Sequence, residues 1–339
     1  MHSSQSLMSQ EIRATPGIVA LQENALAQPL TDLVARLRRQ TPNCVITCAR
    51  GSSAHAATFG KHLIERYVGL PVAAAAPNIA SVYRQELRLR NQLVLAISQS
   101  GKSDDLIAFA RAARGSGALT VAITNDAEAP LAAECDMVLA VGAGPELSVA
   151  ATKTFLATTT VLLRLTAAWT NEVALHRAVQ RLPHRLAAAA SLDWRAGVEV
   201  LSQANQLVTL GRGPTLAIAR EAALKLKEVC NLHTEAFSGA EFQHGPIALI
   251  SERYPVLVFP PTDAAAAGMS QLGRDLAARG AELLIAGPEG QLPVVPADQA
   301  ETDALCLIQS FYTMILDLAE RLRLDVDRPR NLHKVTRTT

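Results

Sequence analysis

The sequence predicts an α/β fold of two tandem units, each a parallel β-sheet flanked by helices in a three-layer, flavodoxin-like αβα arrangement. Three observations predict it. First, a segment is duplicated. Val45–Ala74 reads VITCARGSSAHAATFGKHLIERYVGLPVAA and aligns without a gap onto Leu207–Ala236, LVTLGRGPTLAIAREAALKLKEVCNLHTEA, displaced by 162 residues. Second, the next apolar runs, around Val94 and Val256, keep that displacement. Third, strand-length apolar runs alternate with helix-period segments, the pattern of parallel sheets covered by helices. The boundaries expected are an N-terminal extension and helix over 1–33, a first unit over 34–175, a helical connector over 176–197, a second unit over 198–325 and a tail over 326–339.

The elements follow in order. Met1–Ser9 lacks periodicity and reads as a disordered extension. Glu11–Arg39 has helical spacing, with a break expected at Pro16-Gly17. Val45–Cys48 is a short apolar strand, and Gly51-Ser52-Ser53 opens the next helix. Gln92–Ile97 is a strand that leaves through Ser98-Gln99-Ser100-Gly101, and Asp104–Arg114 is a helix stopped at Gly115-Ser116-Gly117. Leu119–Thr124 and Asp136–Val141 are strands, and Thr154–Trp169 is a long apolar helix interrupted by Arg164. In the second half, Gln206–Leu210, Val256–Phe259 and Leu283–Ala286 read as strands. Ala217–Val229, Met269–Arg279 and a closing Gln309–Arg323 read as helices.

Composition narrows the class. The 339 residues suffice for two domains with their own cores, at 49% apolar, 19% charged and only 4% aromatic. A formal charge of +1 excludes a large nucleic-acid footprint. No run is long and apolar enough for a membrane span, and no secretory signal opens the chain. Five scattered cysteines fit reduced, buried thiols, so a cytoplasmic location is expected.

The two copies differ where chemistry would sit. The first carries hydroxyls at Ser52, Ser53, Ser98, Ser100 and Ser103. At a helix start the backbone N–H groups lack partners and the dipole favours negative charge. Hydroxyls and the Gln99 amide add donors, and Gly101 permits close backbone approach. This combination suits a phosphate ester. One serine-rich turn alone would be an ordinary helix cap, but two stand at neighbouring strand exits. Neither nucleotide-binding glycine pattern is present. The second copy carries ionisable groups. Glu221, Lys225 and Glu228 share one helix face. Such a stripe on its own is a solvated salt-bridge ladder, yet this helix is otherwise apolar. His244 precedes Gly245-Pro246, so it sits on a turn, where it is either a proton shuttle or a cap. His233 reads as structural, and the spacing of His233, Glu235, Glu241 and His244 matches no ordinary metal motif.

The segments SQSG, ELSVAATKTF (Glu146–Phe155), EAALKLKE (Glu221–Glu228), EFQHGP (Glu241–Pro246) and DVDRPRNLHK (Asp325–Lys334) resemble the double sugar isomerase (SIS) family. The likeness is to the isomerase half of glucosamine-6-phosphate synthase, and most of all to stand-alone SIS-type glucosamine-6-phosphate deaminases. The resemblance implies that Gly51, Ser52, Ser53, Ser98, Gln99, Ser100, Ser103, Val149 and His333 bind a sugar phosphate. It implies that Glu228 moves a proton between C1 and C2, with Lys225 in support. His244 would open the ring from a neighbouring subunit of a homodimer, and Lys334 would engage the open-chain sugar. No metal or cofactor is expected, because the substrate carbonyl is the electron sink. Lys102 and Ala151 depart from the family's acidic residue and serine, and no cysteine precedes Cys44 to act on glutamine. The alternatives are galactosamine-6-phosphate deamination, fructosamine-6-phosphate deglycation, aldose–ketose isomerisation and a non-catalytic sensor.

Overall fold

A computed structural model describes residues Ser6–Lys334. The helices are α1 Leu7–Ala25, α2 Ala27–Arg39, α3 Gly51–Leu63, α4 Asn78–Ser81, α5 Asp104–Gly115, α6 Pro130–Ala133, α7 Lys153–Thr170, α8 Val173–Ala189, α9 Arg195–Leu201, α10 Thr215–Cys230, α11 Gly239–Phe242, α12 Ala266–Ala278 and α13 Ala300–Arg321. The strands are β1 Val45–Ala49, β2 Val72–Ala74, β3 Leu93–Ser98, β4 Leu119–Thr124, β5 Met137–Ala140, β6 Gln206–Gly211, β7 His233–Ser238, β8 Pro255–Phe259 and β9 Glu282–Ile285. They form two all-parallel sheets, ordered β2-β1-β3-β4-β5 and β7-β6-β8-β9.

The chain divides into two compact units. Among the described residues, one comprises Gly17–Glu146, Lys153–Gln180 and His333–Lys334. The other comprises Ser6–Pro16, Leu147–Thr152 and Arg181–Leu332. The duplication holds element by element. Shifting β1, β3 and α5 by 162 residues lands them on β6, β8 and α12. In the first sheet β3 is buried along its whole length, as a parallel strand covered on both faces must be. Its core packs Val94, Ala96, Leu106, Phe109 and Ala122. The second packs Val208, Leu210, Phe242, Val256, Val258 and Leu276.

Three expectations are corrected. The described part of Met1–Ser9 is not disordered: α1 begins at Leu7, and Met8 is fully buried. The backbone N–H groups of Leu7 and Met8 donate to the Asp327 carboxylate at 2.8 and 2.9 Å, and Ser9 donates to the Ser6 hydroxyl. These acceptors satisfy the orphan donors of a helix start, and Asp327 is too remote in sequence to be recognised as a cap. Pro16 does not break α1. The carbonyl it would leave unserved, Ile12, accepts from Gln309 Nε2 at 3.0 Å. Finally, the structure adds two strands to those expected, β2 and β7. One is three residues long, and the other begins His-Thr-Glu, without an apolar run.

Candidate active site

In the first unit, β1 and β3 are neighbours and deliver two helix starts side by side, α3 at Gly51-Ser52-Ser53 and α5 after Ser98–Ser103. This is the carboxyl edge of a parallel sheet, where such folds bind ligands. The β3 exit is tightly folded on itself. Ser98 Oγ accepts from Gly101 N–H at 3.2 Å, and Ser100 Oγ accepts from Lys102 N–H at 3.3 Å. A hydroxyl oxygen that accepts from the backbone still has its own hydrogen to donate. Ser103 stands at the α5 N-cap position, but its side chain makes no capping bond, so a cap-only role does not account for it. Gly101 has φ +62°, and a Cβ there would lie 2.4 Å from Ala129 Cβ. Glycine is therefore required for conformation and for space.

A charge pair ties the two turns together. Arg50 precedes Gly51, and Asp105 lies in the first turn of α5. The guanidinium donates to one Asp105 oxygen from Nε at 3.0 Å and from Nη2 at 2.8 Å. Asp105 is 1% exposed. A lone carboxylate at such a helix start would oppose any anion there, and Arg50 pairs with it. Neither residue was singled out from sequence. The carboxylate's position next to the serine turn was the available signal.

The second unit shows why its equivalent turns are poor anion sites. At the positions of Ser98 and Gln99 stand Pro260 and Pro261, which have no N–H. At the β6 exit the Arg212 N–H donates to Thr215 Oγ1 at 3.0 Å, and that hydroxyl donates to the Phe259 carbonyl at 2.6 Å. The turn is closed on itself.

The ionisable cluster lies elsewhere in that unit, near the C-terminal end of α10 and about 20 Å along the helix from the Gly211 turn at 1.5 Å per residue. Lys225 Nζ donates to Glu228 Oε2 and lies 3.5 Å from Glu221 Oε1. Lys225 and Glu221 are 1% and 0% exposed, whereas Glu228 retains 22%. The stripe is thus a buried cluster with one carboxylate reaching solvent. Its apolar neighbours on α10 bury it. Tyr312 of α13 donates its hydroxyl to Glu221 Oε1 at 3.2 Å, a partner with no local sequence signal. Glu228 lines an open cleft of about 410 Å³ with Lys227, Asn231, His233 and Arg330. Arg330 Nε donates to Asn231 Oδ1 at 3.1 Å. His233, read as structural, therefore flanks Glu228.

The described part of the tail ends at Lys334. Asp325 Oδ1 accepts from the N–H groups of Asp327 and Arg328, forming a tight turn, and Val149 N–H donates to the Asp327 carbonyl at 3.4 Å. Beyond it, Lys334 Nζ stands 3.2 Å from Glu146 Oε2. Glu146 is buried and also accepts from Thr154 N–H at 3.0 Å and Thr154 Oγ1 at 2.6 Å, at the start of α7. His333 is exposed. His244 is exposed on the turn after α11, with its N–H on the Glu241 carbonyl, and is not joined to the Lys225 cluster by any hydrogen bond or ion pair found among the described residues.

The SIS domain model matches residues 41–168 and 200–286. A protein of Silicibacter pomeroyi, provisionally described as a phosphosugar isomerase, superposes with a TM-score of 0.90 at 43% identity, over 95% of this chain and 100% of that one. The glutamine–fructose-6-phosphate aminotransferase (isomerizing) of Symbiobacterium thermophilum is 34% identical over 95% of this chain and 54% of its own length. The chain spans about half the length of the curated relatives it matches. The glucosamine-6-phosphate deaminase of Thermotoga maritima shares the fold, with a TM-score of 0.74 at 22% identity over 98% of this chain and 100% of that one. With both sheet-bearing halves matched and parallel throughout, the chain belongs to the SIS domain family.

Proposed function

We propose that the protein is a phosphosugar enzyme that deaminates glucosamine 6-phosphate to fructose 6-phosphate and ammonia. The observation that carries the reading is the α10 cluster: a carboxylate with residual solvent access, Glu228, bonded to a buried ammonium, Lys225. A positioned carboxylate of this kind moves protons at carbon next to a carbonyl. The serine turns at Gly51–Ser53 and Ser98–Ser103 supply the phosphate donors. His244, from a second subunit of a homodimer, assists ring opening. Glu228 takes the C2 proton and returns it at C1, while a proton passes from the C2 amine to O1. The product is a 2-imino sugar phosphate, and water then replaces the nitrogen at C2, releasing ammonia. Lys334, held at Glu146 in the described structure, engages the open-chain sugar, and Val149 and His333 contact it.

The test is ammonia release from glucosamine 6-phosphate with fructose 6-phosphate formed in equal amount. Glu228→Gln should lower turnover by about 10²–10⁴-fold, the usual worth of a general base, while sugar-phosphate binding persists. Unchanged deamination in that variant would remove Glu228 from the mechanism. A second reading, aldose–ketose isomerisation without nitrogen release, is favoured by the description of the Silicibacter pomeroyi relative. It predicts interconversion of an aldose and a ketose phosphate with no ammonia.

A further inference from the structure

Glu221 is fully buried, one helical turn before Lys225 and on the same face of α10. Its Oε1 lies 3.5 Å from Lys225 Nζ and receives the Tyr312 hydroxyl at 3.2 Å. Lys225 is 1% exposed and bonded to Glu228 on its other side. One buried ammonium is therefore shared by two carboxylates of different standing: Glu228 reaches solvent and Glu221 does not. We propose that Glu221, anchored by Tyr312, is a positioning residue whose fixed negative charge holds the Lys225 ammonium in place while Glu228 gains and loses the substrate proton. The inference rests on the reading of Glu228 as the base.

The physical argument concerns what happens halfway through the reaction. When Glu228 takes a proton from carbon it becomes neutral, and its attraction for Lys225 falls away. A buried ammonium is costly unless a counter-charge accompanies it. Glu221 supplies a counter-charge that does not change during turnover. The Tyr312 hydroxyl donates to that carboxylate and fixes its place beside the ammonium. The state with a protonated Glu228 is thereby supported, and the ammonium stays aimed at the reacting carboxylate. Before proton transfer, Glu221 shares the ammonium with Glu228 and keeps it beside the reacting carboxylate. Both effects act on the proton-transfer step and neither touches the serine turns, so the sugar phosphate should bind as before.

The experiment is a double-mutant cycle in the full-length protein, with deamination of glucosamine 6-phosphate as the readout. Glu221→Gln keeps the shape and a hydrogen-bond partner for Tyr312 but removes the charge. It should lower kcat at least tenfold with KM nearly unchanged, and it should lower the unfolding midpoint, because the buried ammonium loses one of its two counter-charges. Tyr312→Phe should lower kcat a few-fold. Glu221→Asp should restore part of the loss. Because Glu221 acts through Lys225, adding Glu221→Gln to Lys225→Met should cost nothing further in kcat. Full activity in Glu221→Gln, or losses that multiply in the double variant, would overturn the inference. Glu228→Gln separates the two claims: if it remains active, the base assignment fails, whatever Glu221 does. If no sugar phosphate is turned over, the same cycle read by urea unfolding decides, and strictly additive midpoint shifts for Glu221→Gln and Lys225→Met overturn the pairing.

Discussion

Replacing Gly101 by alanine tests the anion loop from its backbone. Gly101 has φ +62°, and an L-residue in that region costs about 1–2 kcal/mol. Its Cβ would stand 2.4 Å from Ala129 Cβ and 3.0 Å from Thr124 Oγ1, neither of which is the tip of a flexible chain. Overpacking of that kind costs about 1–3 kcal/mol. The two together give about 2–5 kcal/mol. With a typical urea dependence, the unfolding midpoint of this unit falls by about 1–2 M. The relief available to the chain is to move Gly101, and with it the Ser98 and Ser100 hydroxyls that accept from Gly101 and Lys102. Affinity for glucosamine 6-phosphate, measured by calorimetry, should fall more than tenfold. Gly142→Ala is the control: it has φ +68° but nothing within 4 Å of the added methyl, so it should show only the conformational cost. A Gly101→Ala protein with the midpoint and affinity of the wild type, or one no worse than Gly142→Ala, would refute the packing argument.

Other outcomes follow from the same contacts. Asp105→Ala unpairs the half-exposed Arg50 and should cost about 1 kcal/mol of stability while weakening sugar-phosphate binding, because the two turns lose their tie. Calorimetry showing undiminished affinity would count against that role. Asp327→Ala removes the acceptor for the first two N–H groups of α1 and should cost about 0.5–2 kcal/mol, with faster amide exchange at Leu7 and Met8. Burial pushes the Cys135 and Cys306 thiols up to about 12 and raises those of Cys48 and Cys230 still further. A raised thiol stays protonated and unreactive, so a thiol reagent at pH 8 should titrate at most Cys44 in the native protein and all five cysteines after unfolding. Two or more fast thiols in the folded protein would contradict the burial.

Much of the fold was legible because its signals are local. The displacement of 162 residues carries α5 onto α12 at Ala266, since both copies write the same strand-turn-helix periods. Leu119–Thr124 reads as a strand and is one, an uninterrupted run in a sheet covered on both sides. The serine turns and the Glu221-Lys225-Glu228 face were readable for the same reason: a helix start and a helical repeat each lie within a few residues. What the sequence alone left open depends on partners far along the chain. Leu7–Ser9 looked unstructured because its cap, Asp327, is about as distant as the chain allows. Pro16 looked like a break because Gln309, which serves the carbonyl of Ile12, lies on another helix. The β7 strand has too polar a start to announce itself, and forms because β6 offers it a complete ladder from Gln206 to Gly211. At the candidate site, sequence spacing put Lys225 and Glu228 together. Only the tertiary structure brought Tyr312 to Glu221, Asp105 to Arg50 and Lys334 to Glu146. Periodicity determines which face a residue occupies, but whether a charge on that face is solvated or buried against a counter-charge is decided by the elements that cover it.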